Sequence, residues 1–173
     1  MDRLQSWTLT RFTEDDLSKP IDATRLVAYG NASTDLNPTN MWAIFLQVEE
    51  TSSFRLEMVH NEVTDSAIGI MTLDHKSYYG SYNSIHNLDL SVKNGFTLRS
   101  FLDSILVNRR DKFRFTATGE GCRHWVQTVI SDWEGAGLME KGSTQKAQDT
   151  LSFYHPMDSS SESRPIIVQG TFI

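Results

Sequence analysis

Apolar positions along this chain change their period once, near residue 95. Before that point they alternate. Phe54, Leu56 and Met58 are interleaved with Arg55 and Glu57, the period-two pattern of a strand with one buried face. Within 41–49, Trp42, Ile44, Leu46 and Val48 share one face and Ala43 and Phe45 the other, so this strand is expected to be covered on both sides. Further strands are expected over 21–31, 67–73 and 88–92, and the Tyr-, Ser-, Gly- and Asn-rich stretch 75–86 reads as a strand with a long loop. After the switch, Leu98, Phe101, Leu102, Ile105 and Leu106 fall at i, i+3, i+4, i+7 and i+8, one stripe of a helix. Thr97 precedes it as N-cap. A second helix is expected over 121–134, stopped by Gly135 and Gly137, and a weaker third over 144–154. Short strands fit 112–116 and 165–173. Residues 1–20 read as an irregular arm with a helical turn at 14–17; 35–40 and the Ser-rich 158–163 read as loops. Strands followed by helices predict a single α+β domain, a mainly antiparallel sheet with two or three helices on one face.

Composition narrows the class. The 173 residues carry 16 Lys and Arg against 22 Asp and Glu, a net charge of −6, which argues against coating nucleic acid by bulk charge. No apolar run approaches the ~20 residues of a membrane helix. The segment Met1 to Trp7 lacks the apolar stretch of a signal peptide, so a cytoplasmic location is expected. The single cysteine, Cys122, allows no internal disulfide and no Cys-cluster metal site. Walker, Rossmann, Gly-x-Ser-x-Gly and His-Glu-x-x-His patterns are all missing, and the five histidines are dispersed. No cofactor and no metal is expected.

The densest chemistry lies in Thr118-Gly119-Glu120-Gly121-Cys122-Arg123-His124-Trp125, at a strand-to-helix junction. Glycines let the backbone turn sharply and approach a ligand, and a helix start presents free N–H groups to an oxyanion or carboxylate. Glu120, Cys122 and His124 are the candidate catalytic residues. Glu120 sits between two glycines, free of packing duty, and suits a general base or a cation receptor. The helix dipole is expected to lower the Cys122 thiol pKa, while its place on the face of Val126, Val129 and Trp133 fits an ordinary buried residue equally well. His124 lies on another helix face and forms no local pair with Cys122. Candidate substrate contacts are Asn40 and Trp42, then His75, Tyr79 and Tyr82 around a Tyr-rich stretch, and Arg123 and Trp125. Trp42 also fits the core by its alternation. Arg109, Arg110, Lys112 and Arg114 form a basic stripe that would steer phosphates, or a solvated helix end.

Asn40-x-Trp42-x-Ile44-x-Leu46, Phe113-x-Phe115-Thr116, Gly119-x-Gly121-Cys122-Arg123-x-Trp125, Gly137-Leu138 and Pro165-Ile166-x-x-Gln169-Gly170-x-Phe172 together resemble a family of small fungal proteins catalogued as a domain of unknown function. The resemblance covers residues 23–173. It implies kinship with fungal arginine-containing cyclodipeptide synthases, which draw an arginyl and a second aminoacyl group from charged tRNAs and close a diketopiperazine. A charged tRNA bound by the basic stripe is then an expected partner. Three readings stand: aminoacyl transfer with cyclisation, a cofactor-free cyclase or isomerase of a natural-product pathway holding a small molecule among Trp42, Tyr79, Tyr82 and Trp125, and a non-catalytic binding protein. The pattern does not encode oligomeric state, and a homodimer is among the states it allows.

Overall fold

The computed structural model describes residues 4, 6–30, 40–63, 65–156 and 168–173. The strands are β1 (Thr8–Thr10), β2 (Ala23–Gly30), β3 (Asn40–Glu49), β4 (Ser52–Asn61), β5 (Asp65–Lys76), β6 (Ser84–Leu90), β7 (Phe113–Arg114) and β8 (Thr171–Phe172). The helices are α1 (Leu98–Val107), α2 (Cys122–Gly135) and α3 (Ser143–Leu151), with a 3-10 turn over Glu14–Ser18. One sheet runs β6-β2-β3-β4-β5-β7-β8, antiparallel throughout, and β1 adds to β5 in parallel. The α+β architecture is therefore the one the periods predict. The arm departs from expectation: it contributes a strand, because β1 pairs with Thr72 to Asp74 on the exposed flank of β5. Of the loop expected at 35–40, Asn40 instead begins β3, and the rest of it, the loop at 158–163 and the first residues, 165–167, of the last expected strand lie outside the described residues.

The helices share one face of the sheet. Trp42, Ile44, Leu46 and Val48 of β3 and Phe54, Leu56 and Met58 of β4 form a single core with Leu98, Phe101, Leu102 and Ile105 of α1 and Val126, Val129, Ile130 and Trp133 of α2. The Trp133 ring stands edge-on to Phe101 at 5.0 Å, and its Nε1 donates to the Phe101 carbonyl at 3.0 Å. A buried indole nitrogen needs such an acceptor. The Thr97 side chain makes no capping bond to α1.

The opposite face has its own small core of Val27, Ala43 and Phe45. Its cover follows from strand order. β6 lies beside β2, so the chain leaving β5 must pass β4, β3 and β2 before it can pair. Residues 77–83 make that crossing on the helix-free side. The Ser53 hydroxyl donates to the Tyr78 carbonyl, the Tyr78 ring lies 6.4 Å from Phe45, and the Arg25 guanidinium sits 4.5 Å over the Tyr79 ring. Among the described residues no helix is long and apolar enough to cross a membrane.

Candidate functional site

The glycine junction folds as a tight turn entering α2. The Gly119 N–H donates to the Thr116 carbonyl and the Thr116 N–H to the Glu120 carbonyl, both at 2.9 Å. Gly119 and Gly121 have φ of +78° and +138°, values that a side chain strains against. Gly121 also needs its bare Cα. A Cβ there would lie 3.1 Å from the Phe113 ring and 3.2 Å from Gly170, and Gly170 in turn lies flat against that ring. The two glycine-bearing motif elements, far apart in the chain, therefore pack on each other across one phenylalanine.

A cleft of about 140 Å³ opens beside this turn on the helix side of the sheet. Met58, Val59, Phe115 and Val168 supply apolar walls, and Asn40, His60, Glu120, Cys122 and Arg123 the polar groups. The Glu120 carboxylate is fixed by its own turn. Thr118 Oγ1 donates to Glu120 Oε2 at 2.8 Å, Thr116 and Thr118 hydroxyls lie 3.0 Å apart, and the Glu120 N–H donates to Thr116 Oγ1 at 3.0 Å. Glu120 is half-buried and takes part in no ion pair among the described residues.

Arg123 is 6 % exposed, yet it too has no carboxylate partner among the described residues. Its Nη1 donates to the Leu151 and Phe153 carbonyls at 2.6 and 2.5 Å, and its Nη2 to Asn40 Oδ1 at 2.9 Å. Burial lowers its pKa, with Cys122 and Glu120 pulling the other way. Asn40 is fully buried. Its Oδ1 also accepts the His155 N–H, and its Nδ2 donates to the His155 carbonyl, each at 2.8 Å. Asn40 and Arg123 thus tie the start of β3, the first turn of α2 and the segment after α3 into one knot, in which both Arg123 Nη atoms are bonded.

Cys122 opens α2 with its thiol donating to the Asn40 carbonyl at 3.7 Å. Burial pushes this thiol up, against the N–H of Trp42 and the charge of Arg123. That corrects the expected lowering by the helix dipole: at this depth the lost hydration of a thiolate outweighs it. His60, which the sequence reading passed over, stacks on Phe115 at 3.9 Å and sits between two carbonyls, with Nδ1 2.6 Å from that of Ser66 and Nε2 3.1 Å from that of Gly119. It holds the glycine turn against β4. Its only sequence signal was its place next in the inward series Phe54, Leu56, Met58.

The remaining candidates lie elsewhere. His124 points away, between Phe113 and Phe172, with burial lowering its pKa. Trp42 is 2 % exposed, and Trp125 is buried with its Nε1 donating to the Arg110 carbonyl at 2.7 Å. Both are core residues. His75 stacks on Phe54 and bonds Ser52 on the far part of β5. Tyr79 and Tyr82 border a separate hollow of about 430 Å³ on the helix-free face with Arg25, Asn83 and Asn87. A strand's alternation sends neighbours to opposite faces, so no shared pocket can form. Of the basic stripe, Arg110 pairs with Asp132 at 2.6 Å, Lys112 with Asp111 at 3.5 Å and Arg114 with Asp65 at 3.9 Å, leaving Arg109 exposed.

Fold and site together define an α+β domain in which Asn40, Gly121 and Arg123 frame one cleft. The chain belongs to a family described as a domain of unknown function (DUF7770), which matches residues 24–173. No curated protein and no solved structure matches it.

Proposed function

We propose that the protein is a fungal biosynthetic enzyme that receives a cationic aminoacyl group in this cleft, by the chemistry of the arginine-containing cyclodipeptide synthases its motif resembles. Glu120 carries the reading. Asn40 and Arg123 have a structural task in the knot, Gly121 in the turn and Trp125 in the core, while the Glu120 carboxylate is oriented by Thr118, acts on Arg123 only through its charge and forms no ion pair among the described residues. A guanidinium would pair with it through a charge-assisted bond. The size supports the same reading. A cavity near ~150 Å³ holds one small ring, so this cleft takes one side chain and leaves a large carrier outside. Each amide bond forms when one amine attacks the other residue's ester carbonyl. The expelled tRNA hydroxyl takes the proton that the amine loses, and no nucleotide site is needed.

A second reading, a cofactor-free cyclase or isomerase, is favoured by the charge. The stripe meant for a polyanion is paired with aspartates. There Glu120 would move a proton on a small substrate. The test supplies the full set of charged tRNAs and searches for arginine-containing diketopiperazines by mass. Product is expected, reduced roughly a hundredfold in Glu120→Gln at an unchanged melting temperature. A folded wild-type protein yielding no product rejects the transfer reading in favour of the second. Undiminished turnover by Glu120→Gln removes Glu120 from the chemistry.

A further inference from the structure

Behind the cleft, the residues that line it also hold something. The Arg123 guanidinium and the Asn40 amide are fastened to the carbonyls of Leu151 and Phe153 and to the backbone of His155. The His155 ring donates from Nε2 to the Thr150 carbonyl at 2.9 Å and lies parallel to His86 of β6, with centroids 4.0 Å apart and planes 11° from each other. Trp42 stands edge-on to both rings, at 5.6 Å from His155 and 6.5 Å from His86. We infer that residues 152–156 form a pH-sensitive clasp on the candidate site, closed while the His86 ring is uncharged against His155 and opened when His86 takes up a proton.

The geometry gives a proton on the His86 ring no counter-charge. From α2 the facing charge is Arg123, whose guanidinium is 5.9 Å from the Trp42 ring, another cation. From the clasp it is His155 itself. β2 and β3 present Ala28 and Trp42 in register with His86, and α3 presents the Thr150 carbonyl. Among the described residues no carboxylate pairs with either ring. Burial first, then His155, holds the His86 pKa below its ordinary 6.5. The unfolded or opened chain therefore binds a proton that the closed form refuses, so the clasp is fully stable above pH 6.5 and weakens as pH falls below it. Opening releases the partners of Asn40 and Arg123, so the same event loosens two walls of the cleft. This is a property of the fold and does not depend on the reaction proposed above.

The test is hydrogen exchange of the full chain at about pH 7.5 and about pH 5, corrected for intrinsic rates. The Ser152, Phe153 and His155 amides, which donate to Gln148, Thr150 and Asn40, are expected to lose about tenfold or more of their protection in acid while β3 and β4 keep theirs, a local opening. His86→Phe, which keeps a stacked ring without a charge, is expected to abolish the difference. Equal protection at both pH values overturns the inference, as does a loss shared by the whole sheet or a step that persists in His86→Phe. Should that variant not fold, His86→Gln and the wild-type ring-proton titration decide: a His86 ring titrating at its ordinary value refutes the clasp.

Discussion

Asn40→Ala removes the centre of the knot without touching the apolar core. The side chain accepts from Arg123 Nη2 at 2.9 Å and from the His155 N–H at 2.8 Å, and donates to the His155 carbonyl at 2.8 Å. One of these bonds involves a charged donor, worth about 1.5–3 kcal/mol, and two are neutral, each about 0.5–1.5 kcal/mol. Truncation leaves the Arg123 partner atom without its acceptor, on a guanidinium that has no ion-pair partner among the described residues, so the expected loss is about 3–5 kcal/mol. In a chain of this size each kcal/mol moves the melting temperature by about 2–4 °C, predicting a fall near 10 °C. Asn40→Asp separates the terms. It keeps the acceptor and gives Arg123 a carboxylate, while losing the donor to His155, so it should cost less than Asn40→Ala. Urea unfolding measures both through midpoints at unchanged slope. Combined with Arg123→Met, Asn40→Ala should destabilise by less than the sum of the single changes. An Asn40→Ala within about 1 kcal/mol of wild type, or an Asp variant worse than Ala, would refute the account of the knot.

Gly170→Ala should be among the most damaging small changes, because its Cβ would stand 2.2 Å from the Phe113 ring and 2.7 Å from the Arg114 carbonyl. A loss of more than about 2 kcal/mol in thermal melts is expected, and a neutral result would mean that the Gly121–Phe113–Gly170 packing is wrong. Glu134 ties α2 to the start of α3: the Thr144 hydroxyl and then the Gly142 and Thr144 N–H groups hold its carboxyl at about 2, down from 4.5. Its stabilisation is thus present above pH 4.5 and is lost as pH falls towards 2. Acid titration followed by circular dichroism should be shallower over that window in Glu134→Gln, and identical curves would argue against the link.

Periodicity determined the long strands and the first two helices of this protein. The inward series of β3 and β4 and the stripes of α1 and α2 are local facts, set by which side chains share a face, and they recur in the core as the alternation predicts. Even the covering of β3 on both sides was readable from Ala43 and Phe45. Boundaries blurred where local signals were mixed: the strand expected over 67–73 runs from Asp65 to Lys76, and the arm's β1 exists only because β5 offers it a partner. The candidate site was legible as a set of residue types at the glycine junction, but its membership was not. Glu120, Cys122, Arg123 and Asn40 meet in one cleft, while His124, Trp125, Trp42, His75, Tyr79 and Tyr82 belong to other surroundings. That division depends on β6 returning beside β2, which sends the tyrosine stretch across the far face, and on Asn40 meeting His155 over a separation of 115 residues. No local pattern encodes such pairings. They are decided by which chain segments the sheet order brings within hydrogen-bond range of a buried arginine that must be satisfied wherever it can be.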